Sequence, residues 1–349
     1  MPPSVPGSWL VAESMLLLDR HDAVLLDLDG TVYRGARPIT GVPETITSVR
    51  RRGVAVRFVT NNAAKAPSAV AEHLTALGVA ADAGEVSTSA QAAAQVLRQR
   101  LPEGAAVLVV GTASLAAEVD GVGLRAVPAA GATDEQAERV DAVVQGHSPD
   151  TCWADLARAC LAVRAGAYWV ACNGDVTLPT ERGELPGNGS MVAALRAATG
   201  AEPEIAGKPR PPVLRTAAES AAAGDPLVVG DRLDTDIAGA TATGFASLAV
   251  LSGVATPAEL LAAGPAERPR YLATDLTALQ GKADELEVAP RPGWRVCAED
   301  GVLVASSNGE RDAVDLLRAL CAAAWRHGTS AVRAGEEIAE AALAELGLV

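Results

Sequence analysis

The sequence predicts an α/β fold with a doubly wound parallel-sheet (Rossmann-like) core, an inserted α/β cap domain and a small C-terminal α+β appendage. Short apolar runs typical of buried parallel strands alternate with segments of helical spacing. A repeated strand-helix order requires right-handed crossovers, and these build a parallel sheet. The predicted division is core residues 1–89, cap residues 90–187, core residues 188–285 and appendage residues 286–349.

The first part of the core is predicted to contain two strands, each followed by a helix. Residues 23–26 are all apolar, as in a buried strand. Residues 43–52 have helical spacing and a basic last turn before Gly53, which suits a helix C-terminus. Residues 54–59 predict the second strand, and residues 68–77 predict the second helix.

The middle of the chain repeats this alternation. Residues 106–110, 141–145 and 168–172 predict strands, and residues 153–164 predict a helix. Residues 227–231 then predict a further strand of the first sheet. The middle block therefore interrupts the first domain and is predicted to be the inserted cap.

The chain is predicted to return to the core at residues 187–190, ahead of a helix over residues 191–198. A helix that begins at Pro211 suits the preference of proline for the first helical turn. A short helix over residues 234–243 and a strand over residues 247–251 complete the predicted core.

The C-terminal appendage is predicted to be a β-hairpin followed by two helices. Residues 294–298 and 301–305 predict the two strands, with Asp300 opening the Asp-Gly turn between them. Residues 312–325 and 336–346 predict the helices. A small hairpin with two helices favours a packing or dimerisation element, and a homodimer is one expected assembly. A binding or regulatory module is the alternative.

Composition restricts the classes of partner. The formal net charge of −14 and the pI of about 4.8 argue against binding to nucleic acid or to an anionic membrane surface. The five cysteines form no C-x-x-C pair, which is typical of free thiols in a reducing compartment. Residues 1–20 lack the cationic start of a signal peptide, and no apolar run is long enough to span a membrane. We therefore predict a cytoplasmic protein.

Two carboxylates close the first predicted strand. Asp27 and Asp29 follow the apolar run directly, and Gly30 then permits a sharp turn. Charges at the end of a buried strand are costly unless something pairs with them. A cation with oxygen ligands is the expected partner, so Mg²⁺ is the predicted cofactor.

Further polar residues follow other strands or open helices: Thr60 and Asn61, Lys208, and Asp231 with Asp236. Ligands of open parallel sheets bind at the carboxyl ends of the strands, so these residues are expected to share one crevice. Carboxylates suit a magnesium ion, whereas a lysine with hydroxyl and amide donors suits a phosphoryl group.

A mechanism follows from the charges. Asp27 is the predicted nucleophile, because an aspartate carboxylate can attack phosphorus and form an aspartyl-phosphate. Asp29 is the predicted general acid/base for the leaving alcohol and the hydrolytic water. Metal ligation is expected from Asp27, from Asp231 and from a backbone carbonyl near Asp29.

These motifs resemble a known family. Residues 27–31, 60–62, 207–209 and 230–236 are similar to the four motifs of the haloacid dehalogenase superfamily, in its NagD-like phosphatase branch. That branch carries a large α/β cap after the second motif, and the resemblance covers residues 20–285. It implies a magnesium-dependent phosphatase that acts on a small phosphorylated metabolite.

The resemblance also implies roles for individual residues. The implied nucleophile and acid/base are Asp27 and Asp29. The implied phosphate-binding residues are Gly30, Thr60, Asn61 and Lys208, and the implied metal-site residues are Asp27, Asp29, Asp231 and Asp236. Asn173 and Asp175 lie in a cap loop that faces the substrate in the family, with Gly174 where many relatives have proline. His147 is a further candidate on the cap face, with a structural role as the alternative.

Longer stretches resemble actinobacterial glycerol 3-phosphate phosphatases, namely residues 178–183, residues 186–196 and the segment from Val254 onward. These enzymes are described with a C-terminal piece related to acetyltransferases. Residues 286–349 are too short for a whole acetyltransferase and show no pyrophosphate loop, so no acetyl transfer is predicted. Glycerol 3-phosphate is the expected substrate. The alternatives are 2-phosphoglycolate or a broad range of small phosphoesters, a phosphosugar mutase, or an inactive phosphate-binding module.

Overall fold

The computed structural model describes residues 15–180 and 182–349. Its strands, in chain order, are β1 (Ala23–Leu26), β2 (Tyr33–Arg34), β3 (Arg37–Pro38), β4 (Ala55–Thr60), β5 (Val86–Thr88), β6 (Ala106–Val110), β7 (Arg125–Pro128), β8 (Ala142–Gln145), β9 (Tyr168–Ala171), β10 (Thr177–Thr180), β11 (Gly183–Pro186), β12 (Glu204–Ile205), β13 (Pro226–Gly230), β14 (Ala246–Val250), β15 (Tyr271–Ala273), β16 (Trp294–Glu299), β17 (Val302–Ser307) and β18 (Val332–Ala334).

Its α-helices are α1 (Val42–Arg51), α2 (Pro67–Ala76), α3 (Ser89–Arg100), α4 (Ala113–Gly121), α5 (Asp134–Glu138), α6 (Trp153–Arg164), α7 (Asn188–Thr199), α8 (Pro211–Ser220), α9 (Ala238–Thr243), α10 (Pro257–Ala262), α11 (Ala283–Leu286), α12 (Ala313–His327) and α13 (Glu337–Glu345). Short 3-10 turns span Leu17–Arg20, Ala83–Glu85, Pro265–Glu267 and Leu276–Gln280, and a π-helical turn spans Leu233–Ile237. Most of residues 1–20, which lack the cationic start of a signal peptide, lies outside the described residues. In the described part of the chain, each helix is too short or too polar to cross a membrane.

The first sheet has six parallel strands in the order β15-β14-β13-β1-β4-β5. Every residue of β1 is buried, because helices cover both faces of the sheet. Val24 and Leu26 belong to the same apolar cluster as α1 and α2, whereas Ala23 and Leu25 pack with α3 and α8. Strands β4 and β5 extend the sheet on one side of β1, and β13, β14 and β15 extend it on the other. This arrangement leaves a crevice at the carboxyl end of β1. The predicted parallel core is confirmed.

The second sheet has five strands, all parallel, in the order β12-β9-β8-β6-β7. The sequence analysis predicted that the chain returns to the core at residues 187–190. This prediction is wrong, because the next helix and strand still belong to the second sheet. Strand β12 pairs with Val170 and Ala171, and α7 packs Val192 and Leu195 into the apolar cluster of this sheet. A strand of two residues has too few positions for a periodic signal, so the sequence could not show that it belongs here.

The third sheet confirms the predicted C-terminal hairpin. Strands β16 and β17 are antiparallel, and Asp300 and Gly301 both have positive φ, as a tight hairpin turn requires. Strand β18, which the sequence analysis did not predict, pairs parallel to β17. Side chains of this region share one apolar cluster with Ile237, Leu260 and Leu272 of the core. The appendage is therefore packed against the side of the core that carries the turn after β13.

Candidate active site

Asp27 follows β1 directly, and Lys208 reaches it from the loop before α8. Lys208 Nζ donates hydrogen bonds to Asp27 Oδ1 at 2.5 Å and to Asp236 Oδ1 at 2.6 Å. It also donates to the backbone carbonyl of Val59 at 3.3 Å. The Lys208 side chain is 3% exposed and that of Asp27 is 18% exposed. The structure thus brings a buried ammonium to the end of the first strand.

Asp231 and Asp236 complete an acidic cluster beside Asp27. Asp231 follows β13, Asp236 lies in the next helical turn, and each is 1% exposed. The backbone N–H of Val254 donates to Asp231 Oδ2 at 2.7 Å, and that of Arg232 donates to Asp236 Oδ2 at 3.2 Å. One carboxylate oxygen from each of the three aspartates lies within 4.8 Å of the others. Three predicted metal-site residues therefore converge.

Two glycines leave room for the Asp231 carboxylate. A Cβ atom at Gly30 would lie 2.3 Å from Asp231 Oδ2, and one at Gly253 would lie 1.8 Å from the same atom. Gly30 also has a φ of +87°, which side-chain-bearing residues rarely adopt. The role that the structure supports for Gly30 is therefore close packing against a carboxylate.

Burial is the largest influence on the pKa values of the cluster. Burial raises the pKa of Asp27 to about 7; Lys208 opposes this shift, and Asp236 adds to it. Burial, with Asp236 again contributing, raises the pKa of Asp231 to about 6. Burial disfavours the charge on Lys208, but Asp236 and Asp27 outweigh it and hold the Lys208 pKa above its usual value.

The donor set fits a magnesium ion. Three carboxylates face one ammonium, so two negative charges are uncompensated when all the groups are ionised. The available ligand atoms are all oxygens, which a small hard cation such as Mg²⁺ prefers. Ligation by the backbone carbonyl of Asp29 stays a prediction.

The Asn61 side chain forms hydrogen bonds to Asp175 and to the backbone of Lys208. Its Nδ2 donates to both carboxylate oxygens of Asp175 at 3.2 Å and to the Lys208 carbonyl at 3.1 Å, and its Oδ1 accepts from the Lys208 N–H at 2.8 Å. Both amide hydrogens are therefore used within the protein, and the phosphate-binding role of Asn61 stays a prediction. Asn173 Nδ2 also donates to the Asn61 carbonyl at 2.7 Å. Asn61 joins the loop after β4, the loop after β9 and the segment that carries Lys208.

Asp29 and Thr60 form local hydrogen bonds with their own loops. The Asp29 side chain is exposed, and its Oδ1 accepts a long hydrogen bond of 3.4 Å from the N–H of Gly35. Thr60 Oγ1 accepts from the N–H of Asn62 at 3.1 Å. Their predicted acid/base and phosphate-binding roles stay predictions.

A cleft of about 660 Å³ lies between the first and second sheets and reaches Asp27 and Lys208. The three predicted cap residues, His147, Asn173 and Asp175, all line it. Further lining comes from the β10–β11 hairpin and from the segment after Asp231 (Thr177, Leu178, Pro179, Glu184, Arg232, Asp234 and Thr235). A cleft of this volume has room for a small molecule beside Asp27 and Lys208.

The sequence analysis missed the loop after β14. Ser252 Oγ donates to the carbonyl of Gly30 at 2.7 Å, Gly253 gives the Asp231 carboxylate its space, and Val254 donates to that carboxylate. A signal was available, because a Ser-Gly pair directly follows an apolar strand at the carboxyl edge of the sheet.

Models of known protein families match both parts of the core. A model described as haloacid dehalogenase-like hydrolase matches residues 24–125, and a second HAD hydrolase-like model matches residues 205–279. A D-glycerol 3-phosphate phosphatase from Mycobacterium tuberculosis is 46% identical over 95% of this chain and 96% of the relative. The chain belongs to the haloacid dehalogenase-like hydrolases.

Another relative and a solved structure are similar to most of the chain. An acid sugar phosphatase from Staphylococcus saprophyticus is 36% identical over 70% of this chain and 91% of the relative. The crystal structure of the glycerol phosphate phosphatase from M. tuberculosis in complex with magnesium is 48% identical, has a TM-score of 0.90 and covers 96% of this chain and 99% of that one. A GCN5-related N-acetyltransferase-like model matches residues 291–348, which is the appendage.

Proposed function

We propose that this chain is a magnesium-dependent phosphatase that hydrolyses glycerol 3-phosphate through an aspartyl-phosphate on Asp27. The observation that carries the proposal is the cluster of Asp27, Asp231 and Asp236 beside the buried Lys208, with Asp27 and Lys208 lining the cleft. Similarity over nearly the whole chain to a D-glycerol 3-phosphate phosphatase supports the substrate.

The chain's own residues supply the nucleophile and hold the phosphoryl group. Asp27 is the only member of the acidic cluster that also lines the cleft within the described residues, so its carboxylate is the one that can meet phosphorus. Lys208 neutralises charge on the transferring oxygens as the Asp27–phosphorus bond forms and the ester bond breaks. When bound, Mg²⁺ offsets the repulsion between carboxylate and phosphate. Asp231 and Asp236 would hold it beside Asp27.

Asp29 is proposed to move the protons. It lies two positions after the nucleophile and is exposed to solvent. We propose that it protonates the departing alcohol and then removes a proton from the water that hydrolyses the aspartyl-phosphate. Its carboxylate must turn from the Gly35 N–H toward the cleft to do so, and the long 3.4 Å bond is easily given up.

We further propose that residues 90–206 form the cap over this site, since β12 and α7 both belong to the second sheet. The five cysteines are free thiols in the structure, which supports a cytoplasmic enzyme. The homodimer expected from the sequence stays a prediction.

The test is phosphate release from a panel of small phosphate esters, with Mg²⁺ and with EDTA. Glycerol 3-phosphate should be hydrolysed only with Mg²⁺, and Asp27→Asn should abolish turnover. Adding a phosphosugar acceptor should leave phosphate release unchanged, because a mutase would transfer the group instead. Equal turnover by Asp27→Asn, or hydrolysis that EDTA does not affect, would contradict the proposal.

A further inference from the structure

We infer that the outer edge of strand β16 (Trp294–Glu299) pairs with the same edge of a second copy of this chain. The two β16 strands run antiparallel about a two-fold axis at Cys297, and the appendage sheets of the two copies join into one continuous sheet. This surface lies in the appendage and adds a partner to the phosphatase function proposed above.

Strand β16 lies at an edge of its sheet. It ends the order β16-β17-β18, and within the described residues no strand pairs with its outer side. Cys297, Ala298 and Glu299 are exposed. An exposed edge strand offers a row of unpaired N–H and C=O groups, which is a template for a further strand.

The backbone groups that point outward from β16 belong to Val296 and Ala298. On β17, the Leu303 N–H and the Ala305 carbonyl form hydrogen bonds of 2.8 and 2.7 Å with the residues that flank β18. These two residues lie opposite Ala298 and Val296. In an antiparallel pair, opposite residues turn their N–H and C=O groups either toward each other or both away. Val296 and Ala298 therefore direct theirs away from β17.

An antiparallel pair of β16 strands centred on Cys297 uses these outward groups. Val296 of one copy then lies opposite Ala298 of the other, and the two residues exchange both backbone hydrogen bonds. The two-fold axis repeats that pair on the other side of Cys297. Cys297 itself faces Cys297 of the other copy in a pair without hydrogen bonds, where opposite side chains approach most closely.

The charges on β16 select this register. With Cys297 at the axis, Arg295 lies opposite Glu299 of the other copy, and the axis repeats the contact. Opposite charges directly across an antiparallel pair stabilise it, whereas like charges destabilise it. Arg295 is exposed, and none of the ion pairs among the described residues includes it. An axis at Val296 or Ala298 would also satisfy the backbone, but it would place no opposite charges across from each other.

The other edge of the same sheet lacks this complementarity. Strand β18 spans Val332–Ala334, so an antiparallel pair centred on Arg333 would set that guanidinium against its own copy. Arg333 instead donates to Glu299 Oε2 at 3.2 Å within the chain. In the part of the chain that the structure describes, Glu299 Oε1 is left for Arg295 of the other copy. The two copies therefore meet at β16.

Sedimentation velocity of the full chain over a range of concentrations tests this interface. We expect the wild-type protein to form a reversible dimer. Arg295→Glu and Glu299→Arg each set like charges opposite one another at both contacts, so each should weaken the dimer at least about tenfold. Both variants should keep the wild-type circular dichroism spectrum, because the two positions are exposed.

Two further samples complete the charge test. An equal mixture of Arg295→Glu and Glu299→Arg should form a dimer again, because each like-charged strand then meets its opposite. Arg311→Glu is the matched control, since it makes the same charge change at an exposed position outside β16. It should leave the dissociation constant within about twofold of the wild-type value.

Cys297 gives an independent measurement of the register. Diamide removes two electrons and two protons from a pair of thiols, and we expect it to join Cys297 of the two copies as a disulfide in the native protein. The covalent dimer on a non-reducing gel should disappear in Cys297→Ser. It should persist in Cys152→Ser, which removes the other exposed thiol of the described residues.

Three results would overturn the inference. The first is a wild-type protein that stays monomeric at every concentration. The second is a dimer that Arg295→Glu and Glu299→Arg both retain at wild-type strength, because the copies would then meet at another surface. The third is a covalent dimer that forms in Cys297→Ser as readily as in the wild type.

Discussion

Replacing Lys208 with methionine tests whether one ammonium holds the acidic cluster together. Lys208→Met keeps the apolar length of the side chain and removes the bonds to Asp27 and Asp236. At an effective dielectric constant of about 20, attraction at such short range is roughly 6 kcal/mol for each contact, and burial of the charges opposes it. Removing one member of a buried charge pair typically costs about 3–5 kcal/mol. We expect a loss of that size in the free energy of unfolding of the metal-free protein.

Urea unfolding followed by circular dichroism, in EDTA and in saturating Mg²⁺, measures this loss. The variant leaves three carboxylates without a cation, so Mg²⁺ should bind the folded state more tightly and stabilise the variant more than the wild type. Lys282→Met is the control, because Lys282 is half exposed and pairs with Glu285 at 3.4 Å. Its loss should stay below about 1 kcal/mol. If Lys208→Met is as stable as the wild type in EDTA and responds equally to Mg²⁺, the reasoning is refuted.

Three further predictions concern pH, metal affinity and the appendage. In the folded protein without metal the pKa of Asp27 is about 7, whereas its ordinary value is 3.8. Between these pH values Asp27 keeps its proton in the folded state and loses it in the unfolded state. The free energy of unfolding in EDTA should therefore fall as pH rises through this window. Asp27→Asn should flatten that fall in urea midpoints taken at several pH values, and parallel profiles would contradict the assignment. Gly253→Ala should displace the Asp231 carboxylate and weaken Mg²⁺ binding at least about tenfold by calorimetry, whereas Gly264→Ala, with open space around it, should not. Arg318→Met should cost about 2–4 kcal/mol of unfolding free energy, because this buried guanidinium bonds a carbonyl of β15 at 2.9 Å; a loss under about 1 kcal/mol would show that the appendage is not anchored there.

The acidic cluster was predictable because each aspartate stands at a recognisable place in the sequence. Asp27 and Asp231 both end runs of apolar residues that the sequence identifies as buried strands. In a parallel sheet such ends meet at one edge, so residues some 200 positions apart could be placed together without coordinates. Lys208 has a weaker local signal, and its place came from the order of the motifs.

The bond pattern of Asn61 was not predictable, because its partners come from two other segments. Asp175 is 114 positions away and Lys208 is 147 positions away, and no periodicity links an amide to such acceptors. The predicted cap boundary was wrong for a related reason. Strand β12 is only two residues long, and only its pairing with β9 assigns it to the second sheet. Local patterns predict elements, whereas these contacts depend on how the elements are assembled.

The most direct measurement of the central claim is to trap the covalent intermediate. The protein is mixed with Mg²⁺ and glycerol 3-phosphate carrying a labelled phosphoryl group, quenched in acid within a turnover and digested for mass spectrometry. The account predicts a labelled aspartyl-phosphate at Asp27 in the wild type and none in Asp27→Asn. Label on another residue, or turnover that continues in Asp27→Asn, would contradict it.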